Sequence, residues 1–319
     1  MNSIAVIGAG AWGTALALQA ARAGAAPVLW ARNPARAGEI AATRRNPRLP
    51  DMELPKEIAV TAELPAAADL YLLAVPLQHM RGVAALLKGA APLIVCAKGV
   101  ETGTGKLPLE ILADLESTRA AAVLTGPNFA HEIAAGLPAA SVIASADAAL
   151  RERVAAMLGT HAFRLYGNDD PIGAQVGGAA KNVIAIAAGA VIGAGLGENA
   201  RAALITRGLA EMGRLAAALG GRADTVAGLS GLGDLLLTCT GPSSRNYSLG
   251  LALGRGEKLA GILAQRSTVA EGVTTAPALV ARAAGLDLPI CTAVADLLAQ
   301  KISLPQAMDR LLSRPRRDE

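Results

Sequence analysis

The sequence predicts an α/β amino-terminal domain built on a doubly wound parallel sheet, followed by an all-α carboxy-terminal domain. Three observations carry this. Short, continuously apolar runs alternate with amphipathic stretches through the first half of the chain, the pattern of strands buried on both faces by helices. Strand signals stop after "FRLYG" (163–167), and from about 173 onward the pattern is helical. A length of 319 residues exceeds the usual size of one core, so two domains are expected, at 1–172 and 173–319.

Taken in order, "SIAVI" (3–7) is a first strand and leads through a glycine turn into the helical "TALALQAARAG". "PVLWA" (27–31), "IAVT" (58–61), "LYLLAV" (70–75), "LIVCA" (93–97), "AAVLT" (121–125) and "ASVIA" (140–144) follow as strands, with "MRGVAALLKGA" an amphipathic helix between two of them. In the second half "RAALITRGLAEMGRLAAALG" is the clearest helix, and glycine-rich breaks separate the segments. No internal repeat or low-complexity linker interrupts the pattern.

Composition narrows the function classes. Charged residues are 18% and apolar residues 52% of the chain, which excludes a disordered protein. Aromatics are only 2%, so Ala, Leu, Val and Gly build the core and offer no platform for stacking nucleic-acid bases. A net charge of +4 and a pI near 9.1 suit a small anionic substrate better than DNA, which needs a dense basic stripe. Cys96, Cys239 and Cys291 are odd in number, far apart and never spaced as CxxC. Neither a disulfide framework nor a metal site is expected, and a reducing compartment is. No export signal precedes "SIAVIGAG", so the expectation is a cytoplasmic protein. The run "VGGAAKNVIAIAAGAVIGAGL" (176–196) is the membrane candidate, but it holds five glycines and Lys181. A central lysine costs roughly 2.5–3.5 kcal/mol on insertion scales, so no membrane span is expected.

Gly8, Gly10 and Gly13 stand in G-x-G-x-x-G spacing after a strand and at the opening of a helix. That context makes the sheet Rossmann-type: the first glycine permits the turn, the second lets backbone approach a pyrophosphate, and the third lets helix and strand pack closely. The helix N-terminus then meets the phosphates with unpaired N–H groups. NAD-specific sites place an acid about 20 residues further on. Here "VLWARNPAR" fills that window and puts Arg32 where the acid belongs, with Arg36 one turn later. A guanidinium pairs with a 2′-phosphate, so NADP(H) is favoured and NAD(H) is the alternative.

Lys98 follows the strand "LIVCA" directly, at the strand end that faces ligands in doubly wound sheets. "TGPNFAHE" (125–132) repeats that design one strand later. In "GLSGLGDLLLTCTGPSSRNYS", Asp234 lies between glycines and an apolar run, where an unpaired carboxylate is costly, and Thr238 is one helical turn beyond it. Ser244, Arg245 and Asn246 form a donor group suited to a phosphate. The plain alternatives are an N-cap for Asp234 and a polar turn for the Ser-Arg-Asn group.

"GAGAWGTALA", "AKGVE", "GPNFA", "GGAAKNVIAIAAG", "ARAALITRGLAEM", "GLSGLGDLLLTCT", "SRN" and "VAEGVTTA" together resemble the bacterial NAD(P)-dependent glycerol-3-phosphate dehydrogenases, in order and over nearly the whole chain. The resemblance implies interconversion of sn-glycerol 3-phosphate and dihydroxyacetone phosphate, feeding glycerophospholipid synthesis, with a homodimer as the assembly allowed for. It implies Lys181 as proton donor/acceptor, and Lys98, Gly126, Asn128, Lys181, Asp234, Ser244, Arg245 and Asn246 as substrate contacts. As cofactor contacts it implies Gly8, Gly10, Ala11, Trp12, Gly13, Arg32, Lys98, Ala130, Arg245, Val269 and Glu271. One departure is Asn33, where some relatives carry a second basic residue or a histidine. On this reading small residues surround Lys181 so that substrate and nicotinamide can approach it closely.

Two other functions compete. A β-hydroxyacid dehydrogenase places asparagine about one turn after the lysine; here Asn182 is adjacent and position 185 is alanine. A non-catalytic NADP(H) sensor leaves two lysines, an aspartate and a phosphate-ready arginine without a purpose.

Overall fold

The structure, a computed structural model, describes residues 2–115, 118–266 and 270–315. They form two compact units, Met1–Lys98 with Leu107–Gln175, and Gly99–Lys106 with Val176–Glu319.

In the first unit β1 (Ser3–Ile7) leads into α1 (Ala11–Arg22), and β2 (Ala26–Trp30) into α2 (Pro34–Thr43). A small hairpin of β3 (Arg45–Asn46) and β4 (Leu49–Glu53) precedes β5 (Ala59–Thr61), β6 (Leu70–Leu73) and α3 (Leu77–Ala84). Then come β7 (Leu93–Val95), α4 (Pro108–Asp114), β8 (Ala121–Thr125), α5 (Ala130–Ala135), β9 (Ala139–Ala144), α6 (Ala148–Leu158) and β10 (Phe163–Asn168). Apart from the hairpin, the strands join one sheet in the order β10-β9-β8-β7-β6-β1-β2-β5. Alternate residues serve opposite faces: Ile4 and Val6 pack with α1 and α6, while Ala5 and Ile7 pack with α3 and α4. Burial on both faces is why these strands read as unbroken apolar runs.

The expected parallel sheet needs two corrections. β8 and β9 are antiparallel, with Val123 opposite Ala144 and Thr125 opposite Val142. The segment between them cannot carry the chain back: α5 has six residues, about 9 Å, against about 17 Å for a five-residue strand. Gly136, at φ +75°, turns the chain straight back into the sheet. The β3/β4 hairpin also escapes the sequence pattern, because "RNPRLPDME" is short, polar and broken by two prolines.

The second unit is helical. α7 (Pro171–Gly193) runs into it from the first and carries Lys181; Asp170 accepts from the Gly173 N–H at 2.9 Å at its start. α8 (Gly197–Ala218), α9 (Ala223–Ala227), a π-helical turn over Leu229–Gly233, α10 (Asp234–Cys239) and α11 (Arg245–Gly254) follow. α12 (Leu259–Ala264), α13 (Gly272–Arg282), α14 (Pro289–Leu298) and α15 (Leu304–Leu312) complete it. α7 is long and apolar enough to cross a membrane, yet 83% of its most apolar window is buried inside the protein. It is the core helix of this unit.

Its glycines have a packing cause. A Cβ on Gly189 would sit 2.0 Å from the Tyr247 carbonyl oxygen, and one on Gly250 would sit 1.9 Å from that of Ile186. α7 and α11 therefore approach backbone to backbone, and part of the glycine-rich run exists for helix contact and not for ligand access.

Candidate active site

The glycine turn of the first unit is shaped by two kinds of constraint. Gly8 has φ +119°, and a Cβ on Gly13 would fall 1.8 Å from the Gly8 carbonyl oxygen. The fold itself requires both. Gly10 is different: its backbone is extended (φ −78°, ψ 177°), open to any residue, and a Cβ there would meet no protein atom within 4 Å. Nothing in the protein demands glycine there, whereas a ligand lying against the backbone does. Gly10 also caps α1 without a side chain, so the N–H groups of Ala11, Trp12 and Gly13 lack intrahelical acceptors. These residues fit a dinucleotide pyrophosphate.

At the end of β2, Arg32 is exposed, and its side chain makes no hydrogen bond or ion pair among the described residues. Asn33 is occupied otherwise, capping α2 by accepting from the Arg36 N–H at 3.0 Å. Lys98 is half-buried, and its ammonium donates to the Gly126 carbonyl at 3.1 Å. The two strand-end loops therefore meet. Gly126 has φ +134° and lies against Ser141. Asn128 accepts from the Ser141 hydroxyl at 2.8 Å, while its buried Nδ2 has no partner among the described residues. Ala130 opens α5.

In the second unit Lys181 is buried, its Nζ donating to Asp234 Oδ1 at 2.6 Å and to Thr238 Oγ1 at 2.8 Å. Asp234 is 1% exposed and occupies the first turn of α10 just after the π-helical turn. The extra residue of that turn is tight: a Cβ on Gly231 would lie 1.9 Å from the Val226 carbonyl oxygen. Thr238 is one turn on, and its hydroxyl donates to the Asp234 carbonyl at 2.6 Å. Two acceptors thus aim the ammonium, and a buried lysine finds its counter-charge. Beside them, burial pushes the Cys239 thiol up to about 12, with Lys181 pulling the other way, and burial also raises Cys96 and Cys291. None of the three is a ready nucleophile.

The Ser-Arg-Asn group divides its work. Ser244 is the N-cap of α11, accepting from the Tyr247 N–H at 3.2 Å. Arg245 is exposed at the first position of that helix. Asn246 is buried; its Nδ2 donates to Asn182 Oδ1 at 2.9 Å and its Oδ1 accepts from the Gly272 N–H at 3.0 Å. The residue after Lys181 is thereby tied to the residue after Glu271, which precedes α13. Val269 lies outside the described residues. Sequence reasoning missed Arg266, which donates to the Arg245 carbonyl at 2.7 Å and to Ser248 Oγ at 3.2 Å. Burial lowers its pKa, with Glu257 opposing and Arg245 adding to the shift. No local motif marks it, because its partners lie 21 and 18 residues away.

The comparisons with known proteins agree on both halves. Residues 3–151 match the model for the NAD-dependent glycerol-3-phosphate dehydrogenase N-terminus, and residues 170–309 match that for its C-terminus. The chain is 57% identical to glycerol-3-phosphate dehydrogenase (NAD(P)+) of Acidiphilium cryptum, covering 99% of this chain and 98% of the relative. It is 55% identical to the Gluconobacter oxydans enzyme of that name, over 98% and 97%. The crystal structure of glycerol-3-phosphate dehydrogenase from Coxiella burnetii superposes with a TM-score of 0.93 at 37% identity, covering 98% of this chain and 99% of that one. A glycine turn in the first matched half and a buried lysine–aspartate pair in the second thus sit within one continuous likeness, and the chain belongs to the NAD-dependent glycerol-3-phosphate dehydrogenase family.

Proposed function

We propose that this protein interconverts dihydroxyacetone phosphate and sn-glycerol 3-phosphate, using NADP(H) in preference to NAD(H), with Lys181 as the proton donor and acceptor. The observation that carries it is the buried ammonium of Lys181 held by Asp234 and Thr238 at 2.6 and 2.8 Å. When bound, the reduced nicotinamide supplies the hydride. Reduction of a ketone leaves charge on its oxygen, and Lys181 delivers the proton that completes the hydroxyl. Asp234 and Thr238 hold that donor in one orientation, and Lys98 polarises the carbonyl electrostatically. Arg245 binds the substrate phosphate through a planar guanidinium, and the unpartnered Nδ2 of Asn128 is a further donor to substrate. Arg32 reads the 2′-phosphate. Three buried, unpaired cysteines support a reducing compartment, the cytoplasm, where the product feeds glycerophospholipid synthesis.

NADPH consumption, followed with dihydroxyacetone phosphate, with unphosphorylated dihydroxyacetone and with a β-keto acid, tests this. Turnover is expected with the phosphorylated ketone alone. Equal rates on both ketones would sink the phosphate assignment, and turnover on the keto acid alone would move the protein to the hydroxyacid reductases.

A further inference from the structure

Asn46 is fully buried on β3, in a stretch where no motif draws attention. Its side chain leaves the hairpin and enters the glycine turn. Nδ2 donates to the carbonyl oxygen of Ala9 at 3.1 Å and to Thr14 Oγ1 at 2.6 Å, while Oδ1 accepts from the Arg48 N–H at 3.0 Å. A carboxamide offers two N–H donors and an acceptor oxygen, and all are engaged. Thr14 is itself anchored, its N–H donating to the Gly10 carbonyl at 2.9 Å. One side chain therefore holds the crest of the turn, the start of α1 and the tip of the hairpin.

The bond to Ala9 matters most. Ala9 carbonyl and Gly10 N–H belong to one planar, trans peptide, so fixing the oxygen on one side aims the N–H to the other. That N–H donates to no backbone group among the described residues. The crest Gly8-Ala9-Gly10 has no polar side chain with which to hold such a direction, and it loses much conformational freedom when it orders around an anion.

We propose that Asn46 is a positioning residue for the cofactor: it sets the Ala9–Gly10 peptide so that the Gly10 N–H is presented to the pyrophosphate before the dinucleotide arrives. The proposal rests on the glycine turn being the NADP(H) site. It also explains the hairpin, an insertion between β2 and β5 that contributes no strand to the main sheet.

The test is NADPH affinity, measured by direct fluorescence titration, beside the melting temperature of the unliganded protein. Asn46→Ala is expected to weaken NADPH binding about 3- to 10-fold, the scale of a lost buried hydrogen bond. The loss should appear in Kd and in KM for NADPH, and much less in kcat or in KM for dihydroxyacetone phosphate. Thr14→Val removes only the helix bond and is expected to act in the same direction by less, with the double variant no worse than Asn46→Ala. A folded Asn46→Ala with a lower melting temperature and unchanged Kd would overturn the proposal. If that variant does not fold, the near-isosteric Asn46→Asp, which keeps an acceptor for the Arg48 N–H and loses the bond to Ala9, takes its place, and wild-type affinity in the folded Asn46→Asp overturns the proposal. Gly10→Val separates this from the underlying assignment. Normal NADPH binding there removes the turn from the cofactor site altogether. Binding lost there but kept in Asn46→Ala removes the clamp alone.

Discussion

The glycine turn of the first unit and the lysine cluster of the second are made by opposite means. The turn presents backbone: it opens α1 with uncapped N–H groups, and Gly8, Ala9 and Gly10 bring no polar side chain to it. The cluster works through side chains: a buried cation, a buried anion and a hydroxyl, from α7 and α10, 53 and 57 residues apart in sequence. Backbone sites need local geometry, so their residues lie close together in the chain. Charge sites need desolvation and a counter-charge, and only a packed interior supplies both. Binding and chemistry should therefore separate cleanly under mutation.

The largest effect is expected at Lys181. Lys181→Ala should cut kcat by at least ~10²-fold, the lower range for general acid–base catalysis, while NADPH affinity barely changes. Steady-state kinetics with a parallel cofactor titration checks it. A folded variant with near-normal turnover would take the lysine out of the mechanism and erase the contrast.

Arg32→Ala tests the other side. NADPH binding should weaken by roughly 1.5–3 kcal/mol, about 10- to 150-fold, with NADH almost untouched. Titrating both cofactors decides the matter, since equal losses would mean that the arginine does not read the 2′-phosphate.

The smallest effect comes from a second buried carboxylate in the helical unit. Glu211 on α8 meets a helix start, accepting from the Ile290 and Cys291 N–H groups at 2.7 and 3.1 Å, and so caps α14. Burial raises its pKa above the ordinary 4.5, while those N–H groups, the Cys291 thiol and Arg214 pull it down. A raised folded pKa means that the native state holds the proton longer than the unfolded chain. Its contribution to stability is present below about 4.5 and is lost as pH rises through the folded value. Melting temperatures across that range should fall more gently in Glu211→Gln than in the wild type. An unchanged slope would show that Glu211 does not titrate there, and that its burial serves capping alone.

The sequence by itself determined the two-part architecture, the position of nearly every main-sheet strand and the whole glycine fingerprint. These are local properties: apolar runs have the length and period of their elements, and Gly8, Gly10 and Gly13 must be spaced as they are to make one turn. It also singled out Lys181 and Asp234, because charges in apolar runs are costly wherever they fall. Tertiary structure decided that the two charges meet. It decided the reversed direction of β9, since that depends on how far six residues of α5 can reach. Gly189 and Gly193 of α7 answer to the backbone of α11, and Gly177 to that of the π-helical turn, partners no window along the chain contains. Asn46 was silent for the same reason: its value lies in reaching 37 residues back to Ala9, and hydrogen bonds across such distances leave no periodic trace.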